Sequence, residues 1–137
     1  MRDETRTFGM TRRDVALIDD WLEQVSDRWN AGARAMFGAR LCIAELAANA
    51  VEHGGPLSPS DRMVVTVRGM PDGIEVEFRD TSAPFDPTVK PSGGRANTLV
   101  TADPSGRGLE LLHAFGRKLA YARDGIYNCV TLTILSG

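Results

Sequence analysis

Three polar residues stand four positions apart in the stretch ELAANAVEH, and they are Glu45, Asn49 and His53. Because four residues of an α-helix turn through about 400°, successive side chains are offset by only about 40° and rise by about 6 Å. The three therefore form one polar stripe on a helix that is otherwise mostly alanine, leucine and valine. Such a stripe also fits the solvated edge of an amphipathic helix, but in an apolar setting its members need polar partners.

The residue types in the stripe suit phosphate chemistry. Asn49 offers a neutral amide oxygen, which suits an Mg²⁺ ion that keeps most of its waters and bridges to phosphates. Glu45 lies one helical turn earlier, where a carboxylate can accept a proton from an attacking hydroxyl or water. The stripe is therefore a candidate wall of a nucleotide site.

Two other segments complement the stripe. In FRDTSAPFDP, Asp80 ends a predicted strand, and its carboxylate can accept a hydrogen bond from the exocyclic amine of adenine. In DPSGRGLELL, Gly106 and Gly108 precede a helix whose N-terminal N–H groups suit phosphate oxygens, and Arg107 adds positive charge. An aspartate after a strand is also an ordinary turn former, and Gly-x-Gly is common in tight loops, so only the combination is informative.

The elements that must position these residues follow from hydrophobic periodicity and turn signals. The N-terminal half is predicted to form a strand over Thr5–Met10, a helix capped by Thr11 and Asp14 that runs to Trp29, and a helix over Arg34–His53. A hairpin of Arg62–Gly69 and Ile74–Asp80 is predicted next, followed by a loop over Thr81–Gly106. The chain then continues with a predicted helix over Gly108–Phe115 and a hairpin of Lys118–Arg123 and Ile126–Leu135. This order predicts an α+β fold, with helices on one face of a mixed, mostly antiparallel sheet. The 137 residues are expected to form one domain over 1–137.

Composition narrows the function classes. The formal net charge of −2 gives no reason to expect direct binding to nucleic acid, which needs a basic face. The apolar runs are far shorter than the roughly 20 residues of a membrane helix, and the N-terminus has no apolar signal region. Cys42 and Cys129 lack metal-binding spacing and are expected to be buried, reduced thiols. A cytoplasmic protein without a membrane partner is therefore expected.

The three segments, in this order, resemble the boxes of the GHKL ATPase superfamily, which includes gyrase, heat-shock chaperones, histidine kinases and MutL. ELAANAVEHG is similar to its N-box, RDTSAPFD to its first glycine box and SGRGLELL to its second. The small size and the Glu-x₃-Asn-x₃-His pattern resemble the anti-sigma-factor serine kinases of the RsbW/SpoIIAB type. The resemblance covers nearly the whole chain and implies the Bergerat fold, a two-layer α+β sandwich.

The resemblance also implies roles for the matching residues. Glu45 is implied as the catalytic base, Asn49 as the Mg²⁺ ligand and Asp80 as the adenine contact. The other implied nucleotide-binding residues are His53, Ser82, Pro84, Gly106, Arg107, Gly108, Leu109 and Thr131. The segment from about Thr88 to Ser105 corresponds to the ATP lid of the family.

One position departs from the family pattern. The first glycine box usually reads Asp-x-Gly, and here the third residue is Ser82. A glycine lets the backbone pass close to the nucleotide or adopt positive φ, so Ser82 bears on nucleotide affinity more than on fold. Among the implied contacts, His53 also fits packing at the helix end, and Thr131 also fits an ordinary strand residue.

The resemblance implies an ATP- and Mg²⁺-dependent protein-serine kinase that phosphorylates a STAS-domain anti-anti-sigma factor, sequesters a sigma factor and forms a homodimer through its first strand and helix. A second hypothesis is a non-catalytic switch of the same fold that regulates a phosphatase or sigma factor by binding alone. The serine at position 82 keeps the switch hypothesis open. The presence of Glu45 favours the kinase, because a pure binding module needs no catalytic base. The ATP-binding half of a histidine kinase fits poorly, because no helix with a phosphoacceptor histidine precedes the domain.

Overall fold

The computed structural model describes residues 2–29, 33–89 and 108–136. Its elements are β1 (Asp3–Gly9), α1 (Arg12–Trp29), α2 (Ala33–His53), β2 (Arg62–Met70), β3 (Gly73–Asp80), α3 (Gly108–Phe115), β4 (Gly116–Asp124) and β5 (Tyr127–Leu135). These strands form one sheet in the order β1-β2-β3-β5-β4, and each neighbouring pair is antiparallel. The predicted α+β class, with a mostly antiparallel sheet and helices, is confirmed.

Helix α1 begins where the sequence predicts a cap. The Thr11 hydroxyl accepts a hydrogen bond from the Asp14 N–H at 3.2 Å, and the Asp14 carboxylate accepts one from the Thr11 N–H at 3.2 Å. Arg40 of α2 donates two hydrogen bonds of 2.8 Å to the carboxylate of Asp19, which holds α1 beside α2. These bonds to the guanidinium keep the pKa of Asp19 below its usual value. The buried residues of α1 are Ile18, Trp21, Leu22, Val25 and Trp29.

The two faces of the sheet differ because successive side chains of a strand point to opposite sides. The face toward the helices carries buried apolar residues, among them Val65, Val76, Phe78, Val130, Leu132 and Ile134. The opposite face, called the outer face below, carries Thr5, Thr66, Glu77 and Thr131 side by side across four strands. The core therefore lies between one face of the sheet and the helices.

Helix α2 lies across β3 and β5, and α3 packs beside it. Gly38 of α2 allows a close approach, because an added Cβ would lie 3.0 Å from a side chain of β5 and 3.0 Å from Phe115 of α3. The Phe115 ring meets Phe37 edge-on with centroids 6.4 Å apart, and the Cys42 thiol donates to the Leu111 carbonyl at 3.8 Å. Helix α3 therefore runs antiparallel to α2, and its N-terminus points toward the part of α2 that carries the polar stripe.

The two cysteines are free, but they differ in burial. Cys42 is fully buried, and burial raises its pKa to about 11, so the thiol stays protonated. Cys129 is only partly buried on the outer face, which corrects the expectation that both thiols are buried. Among the described residues, no helix is long and apolar enough to cross a membrane.

Candidate functional site

A shallow open pocket lies between α2, the end of β3 and the turn that follows β3. Its lining residues are Leu46, Asn49 and Ala50 of α2, Phe78 and Asp80 of β3, and Ser82, Phe85 and Pro87 of the turn. Three predicted residues, Asn49, Asp80 and Ser82, thus meet at one pocket.

Asp80 places a buried carboxylate in this pocket, with only 6% of the residue exposed. Three donors meet at its Oδ1 atom: the Ser82 N–H at 3.0 Å, the Ser82 hydroxyl and the Asn128 amide nitrogen at 3.2 Å. Within the described parts of the chain, no donor contacts Oδ2 of Asp80. That oxygen remains able to accept a hydrogen bond, as the exocyclic amine of adenine requires.

Ser82 occupies the place of the family's glycine without backbone strain, since Lys118 is the one non-glycine residue of positive φ in the described chain. Its side chain packs against Gly54, which directly follows α2. A Cβ added at Gly54 would lie 2.6 Å from the Ser82 Cβ and 2.4 Å from the Ala50 carbonyl oxygen. The glycine at position 54 therefore provides the space that the serine at position 82 needs.

The same turn is also held at its β2 side, through Thr81. The Thr81 hydroxyl donates to Asp61 at 2.7 Å and accepts a hydrogen bond from the Arg62 N–H at 2.9 Å. The Ser58 N–H and then the Thr81 hydroxyl lower the pKa of the Asp61 carboxyl. The ionised Asp61 carboxylate thus holds Thr81, the residue that follows Asp80.

The three members of the polar stripe occupy different surroundings. Asn49 lines the pocket. Glu45, about 6 Å further along the helix axis, is partly buried, and its Oε1 atom is shielded from solvent. His53 lies in the last turn with 43% of its side chain exposed, and its Nε2 atom is 3.8 Å from a carboxylate oxygen of Glu52. The structure brings Asn49 to Asp80, with Glu45 one turn before it and His53 at the exposed helix end.

Helix α3 begins at Gly108, as predicted, and Leu109 is its second residue. Two of its contacts with α2, Phe115 with Phe37 and Leu111 with Cys42, advance by about one turn on each helix, so a further turn brings the level of Gly108 close to that of Glu45. The N–H groups of this helix end are therefore directed toward the stripe. Gly106 and Arg107, with most of the predicted lid, lie outside the described residues.

Besides His53, two predicted nucleotide contacts are not brought to the pocket. Pro84 is exposed on the turn, and Phe85 and Pro87 line the pocket instead. Thr131 pairs with Glu77 on the outer face of the sheet. Strand alternation turns its side chain away from α2, so the structure does not bring Thr131 to the pocket, and its predicted contact with adenine stays a prediction.

Asn128 is a site residue that the sequence interpretation missed. It pairs with Asp80 across β3 and β5, and only 2% of it is exposed. Its amide nitrogen donates to Asp80 Oδ1 and Ser82 Oγ, both at 3.2 Å, and to the Ala83 carbonyl at 3.0 Å. One signal in the sequence could have found it. Asn128 lies three positions before Thr131 on the same strand, so the two side chains point to opposite faces of the sheet. On the buried face, a polar side chain needs hydrogen-bond partners.

The amide oxygen of Asn49 suits a magnesium ion that arrives with the phosphates of a nucleotide. In the described ranges, no group of three His, Cys, Asp or Glu side chains could hold a metal ion. Mg²⁺ keeps several waters and binds through one or two protein oxygens together with substrate phosphates. The single amide oxygen of Asn49 suits that mode, whereas a dedicated protein cage would need more ligands.

Two comparisons with known proteins agree with this geometry. Residues 8–134 match the model of the histidine kinase-like ATPase domain. The chain is also similar to the serine/threonine-protein kinase BtrW of Bordetella bronchiseptica, with 34% identity over 97% of this chain and 95% of that protein. The predicted kinase-type ATPase domain is confirmed, and such a domain implies ATP binding. This chain belongs to the histidine kinase-like ATPase domain family.

Proposed function

We propose that this protein is an ATP-dependent serine kinase that phosphorylates a STAS-domain anti-anti-sigma factor. The observation that carries the proposal is the pocket, which Asp80 and Asn49 line together, with Glu45 one helical turn away and the hydrogen bonds of Asp80 to Ser82 and Asn128 made through Oδ1. The similarity to a serine/threonine-protein kinase supports phosphoryl transfer as the reaction.

The base of ATP lies at the Asp80 end of the pocket. Oδ2 of Asp80 accepts a hydrogen bond from the exocyclic amine of adenine, and Leu46 and Phe78 provide apolar contact with the ring. Phe85 lines the mouth of the pocket and is 44% exposed, so an adenine ring can cover apolar surface that now meets solvent. This end of the site gives affinity and base selectivity.

The phosphates lie along α2 toward Glu45. Asn49 would hold Mg²⁺, which when bound neutralises charge on the phosphate oxygens. The N–H groups at the start of α3 are directed toward the same region and can bind phosphate oxygens. Binding therefore fixes the γ-phosphorus near the carboxylate of Glu45, which supplies most of what phosphoryl transfer requires.

Glu45 acts as the general base in the transfer. The serine hydroxyl of the partner gives its proton to the Glu45 carboxylate, and its oxygen bonds to the γ-phosphorus. The bond from the γ-phosphorus to the β,γ-bridging oxygen breaks, and ADP leaves. The partly buried position of Glu45 on α2 keeps this carboxylate beside the pocket.

The proposed partners are a STAS-domain antagonist, a sigma factor and a second copy of this chain, in the cytoplasm. In this scheme the kinase sequesters the sigma factor until unphosphorylated antagonist displaces it. The phosphate added to the antagonist brings negative charge into the contact with the kinase and weakens it through repulsion and desolvation. Direct binding of the chain to nucleic acid or membrane is not part of the scheme.

The alternative, a non-catalytic switch, would draw support from Ser82 in place of glycine. The Ser82 hydroxyl and N–H, however, both bind Oδ1 of Asp80 and leave Oδ2 available. Gly54 also provides the space that the serine needs. The departure at position 82 is therefore compatible with nucleotide binding, and the kinase remains the better supported function.

Glu45→Gln tests the proposal. The purified protein is incubated with γ-labelled ATP and a STAS-domain protein, and both label transfer and ATP affinity are measured. The variant should lose roughly 10²–10⁴-fold in transfer rate, as expected for a general base, with ATP affinity nearly unchanged. Glu23→Gln is the matched control, because Glu23 is an exposed carboxylate of α1 that does not line the pocket.

Unchanged transfer by Glu45→Gln would remove this residue from the mechanism. Wild-type protein that binds ATP and the partner without transferring label would instead establish the switch.

A further inference from the structure

Asn128 makes hydrogen bonds to both sides of the base pocket from a single amide. Its NH₂ group has four acceptors within hydrogen-bond distance: Asp80 Oδ1 and Ser82 Oγ at 3.2 Å, the Ala83 carbonyl at 3.0 Å and the Ser82 carbonyl at 3.4 Å. Its oxygen accepts from the Tyr121 hydroxyl at 2.6 Å, the Phe85 N–H at 3.1 Å and Arg123 Nη1 at 3.3 Å. A buried side chain of β5 therefore contacts both the carboxylate and the backbone of the turn.

The surroundings fix the orientation of this amide. Every group near its oxygen is a donor, and the Asp80 carboxylate oxygen and Ala83 carbonyl near its nitrogen accept only. Turning the amide over would place donors against donors and acceptors against acceptors. The Asn128 amide therefore fits this position in one orientation, with its oxygen toward the donors and its NH₂ group toward the acceptors.

Both ends of the amide hold parts of the pocket. At the nitrogen, the bond to Oδ1 of Asp80 leaves Oδ2 as the oxygen available to a ligand. At the oxygen, the bond from the Phe85 N–H holds the residue whose ring lines the pocket mouth. Arg123 strengthens the arrangement, since Nη1 also donates to the Ser82 carbonyl at 2.9 Å.

We propose that Asn128 is the positioning residue for adenine selectivity, which rests on the proposed ATP binding. Asn128 does not meet the base itself. It fixes the Asp80 carboxylate and the Phe85 backbone relative to each other, so that one side of the base meets a hydrogen-bond acceptor while its ring meets Phe85. The selectivity for an exocyclic amine thus depends on a residue outside the pocket lining.

Asn128→Asp is the informative variant because it keeps the size and shape of the side chain. One carboxylate oxygen can still accept from Tyr121, Phe85 and Arg123, but the other replaces a donor that now lies 3.2 Å from Asp80 Oδ1. Two carboxylates at that distance repel, or they share a proton. Either result displaces the Asp80 oxygens. Asn128→Ala is the second variant, and it removes the amide without adding charge.

The test is calorimetric titration of each variant with two nucleotides. One is a non-hydrolysable ATP analogue, and the other is the matching purine riboside triphosphate, which lacks the 6-amino group. Asn128→Asp should weaken binding of the ATP analogue by roughly 10- to 100-fold, the range of a lost hydrogen bond to a charged group. The purine nucleotide should lose much less affinity, so the preference of the wild type for the amino group largely disappears.

Two controls separate positioning from general damage. Thr133→Ala changes the same strand on the outer face, opposite Glu75, and should retain the selectivity of the wild type. In Asp80→Asn combined with Asn128→Asp, the losses should be clearly less than additive, because both changes act on the same hydrogen bond to the base.

Equal losses for the two nucleotides in Asn128→Asp and Asn128→Ala would overturn the proposal, since a residue that only stabilises the fold cannot distinguish them. If Asn128→Asp does not fold, the comparison of nucleotides in Asn128→Ala decides in the same way. Wild-type protein that binds neither nucleotide would overturn the proposed function itself. Wild-type protein that binds both nucleotides equally would overturn the selectivity while leaving ATP binding intact.

Discussion

The two faces of the same sheet carry very different polar chemistry. On the helix-facing side, Asp80 and Asn128 are almost fully buried, and their hydrogen bonds join β3, β5 and the turn into one network. On the outer face, Glu77 and Arg79 form a partly exposed ion pair with an N–O distance of 3.1 Å. Exposed pairs of this kind contribute little to stability, whereas a buried network fixes the positions of its members.

The difference teaches that residue type and strand position are not enough to find a site residue. Thr131 and Asn128 lie on one strand three positions apart, and only Asn128 contacts the Asp80 carboxylate that lines the pocket. Both are polar residues in a strand of mostly apolar neighbours. The face of the sheet on which each side chain lies, which follows from the register of β5 against β3, decides which of them contacts a pocket residue.

Among substitutions that compare the two faces of the sheet, Asp80→Asn is expected to change ATP affinity most. One of the two oxygens becomes an NH₂ group, so a donor must face either the donors at Ser82 and Asn128 or the amine of adenine. ATP affinity should fall by about 1–3 kcal/mol, which calorimetric titration measures directly. Glu77→Gln makes the same chemical change on the outer face of β3 and should leave the affinity nearly unchanged. Equal affinity of Asp80→Asn and wild type would contradict the adenine role.

A smaller effect is expected for Gly54→Ala, which disturbs the pocket only through the turn. The new Cβ would lie 2.4 Å from the Ala50 carbonyl and 2.6 Å from the Ser82 Cβ, so Ser82 must move. The free energy of unfolding should fall by about 1–3 kcal/mol, and ATP affinity should fall with it. Thermal denaturation and titration check the two effects.

Gly69→Ala is the matched control for this change, because its added Cβ meets only ordinary contacts of 3.7 Å or more. Adding Ser82→Gly to Gly54→Ala removes one of the two clashes and should restore part of the loss. No restoration would show that the contact between positions 54 and 82 does not limit the pocket.

The smallest effect is expected for Thr131→Val. This change removes the hydroxyl and keeps the branched shape of a good strand former on the outer face. ATP affinity should stay within about two-fold of the wild type, as for other substitutions away from a site. A large loss of affinity would mean that Thr131 acts on the nucleotide from the outer face, contrary to the register of β5.

Much of the helical framework was predictable from the sequence. The prediction for α2 began one residue late and ended correctly at His53, and the bounds of α3 were predicted without error. Apolar periodicity and glycine punctuation act within a few residues, so a local pattern is enough to find such elements. The same locality explains why the spacing of Glu45 and Asn49 revealed their common helix face.

The missed features depend on contacts between distant segments. Asn128 lies 48 residues from Asp80, and its role appears only when β5 is paired with β3. The space for Ser82 likewise comes from Gly54, on another element. Neither contact leaves a periodic signal in one sequence. The roles of Gly106, Arg107 and most of the lid remain predictions, because these residues lie outside the described parts of the chain.

The central claim is that one molecule of ATP binds, together with Mg²⁺, between the polar stripe of α2 and the Asp80 end of β3. Calorimetric titration with a non-hydrolysable ATP analogue, with and without Mg²⁺, tests this claim most directly, with wild type and Asn49→Ala side by side. We predict that Mg²⁺ strengthens binding to the wild type and that Asn49→Ala loses this Mg²⁺ dependence. Absence of binding to the wild type at millimolar nucleotide would contradict the claim.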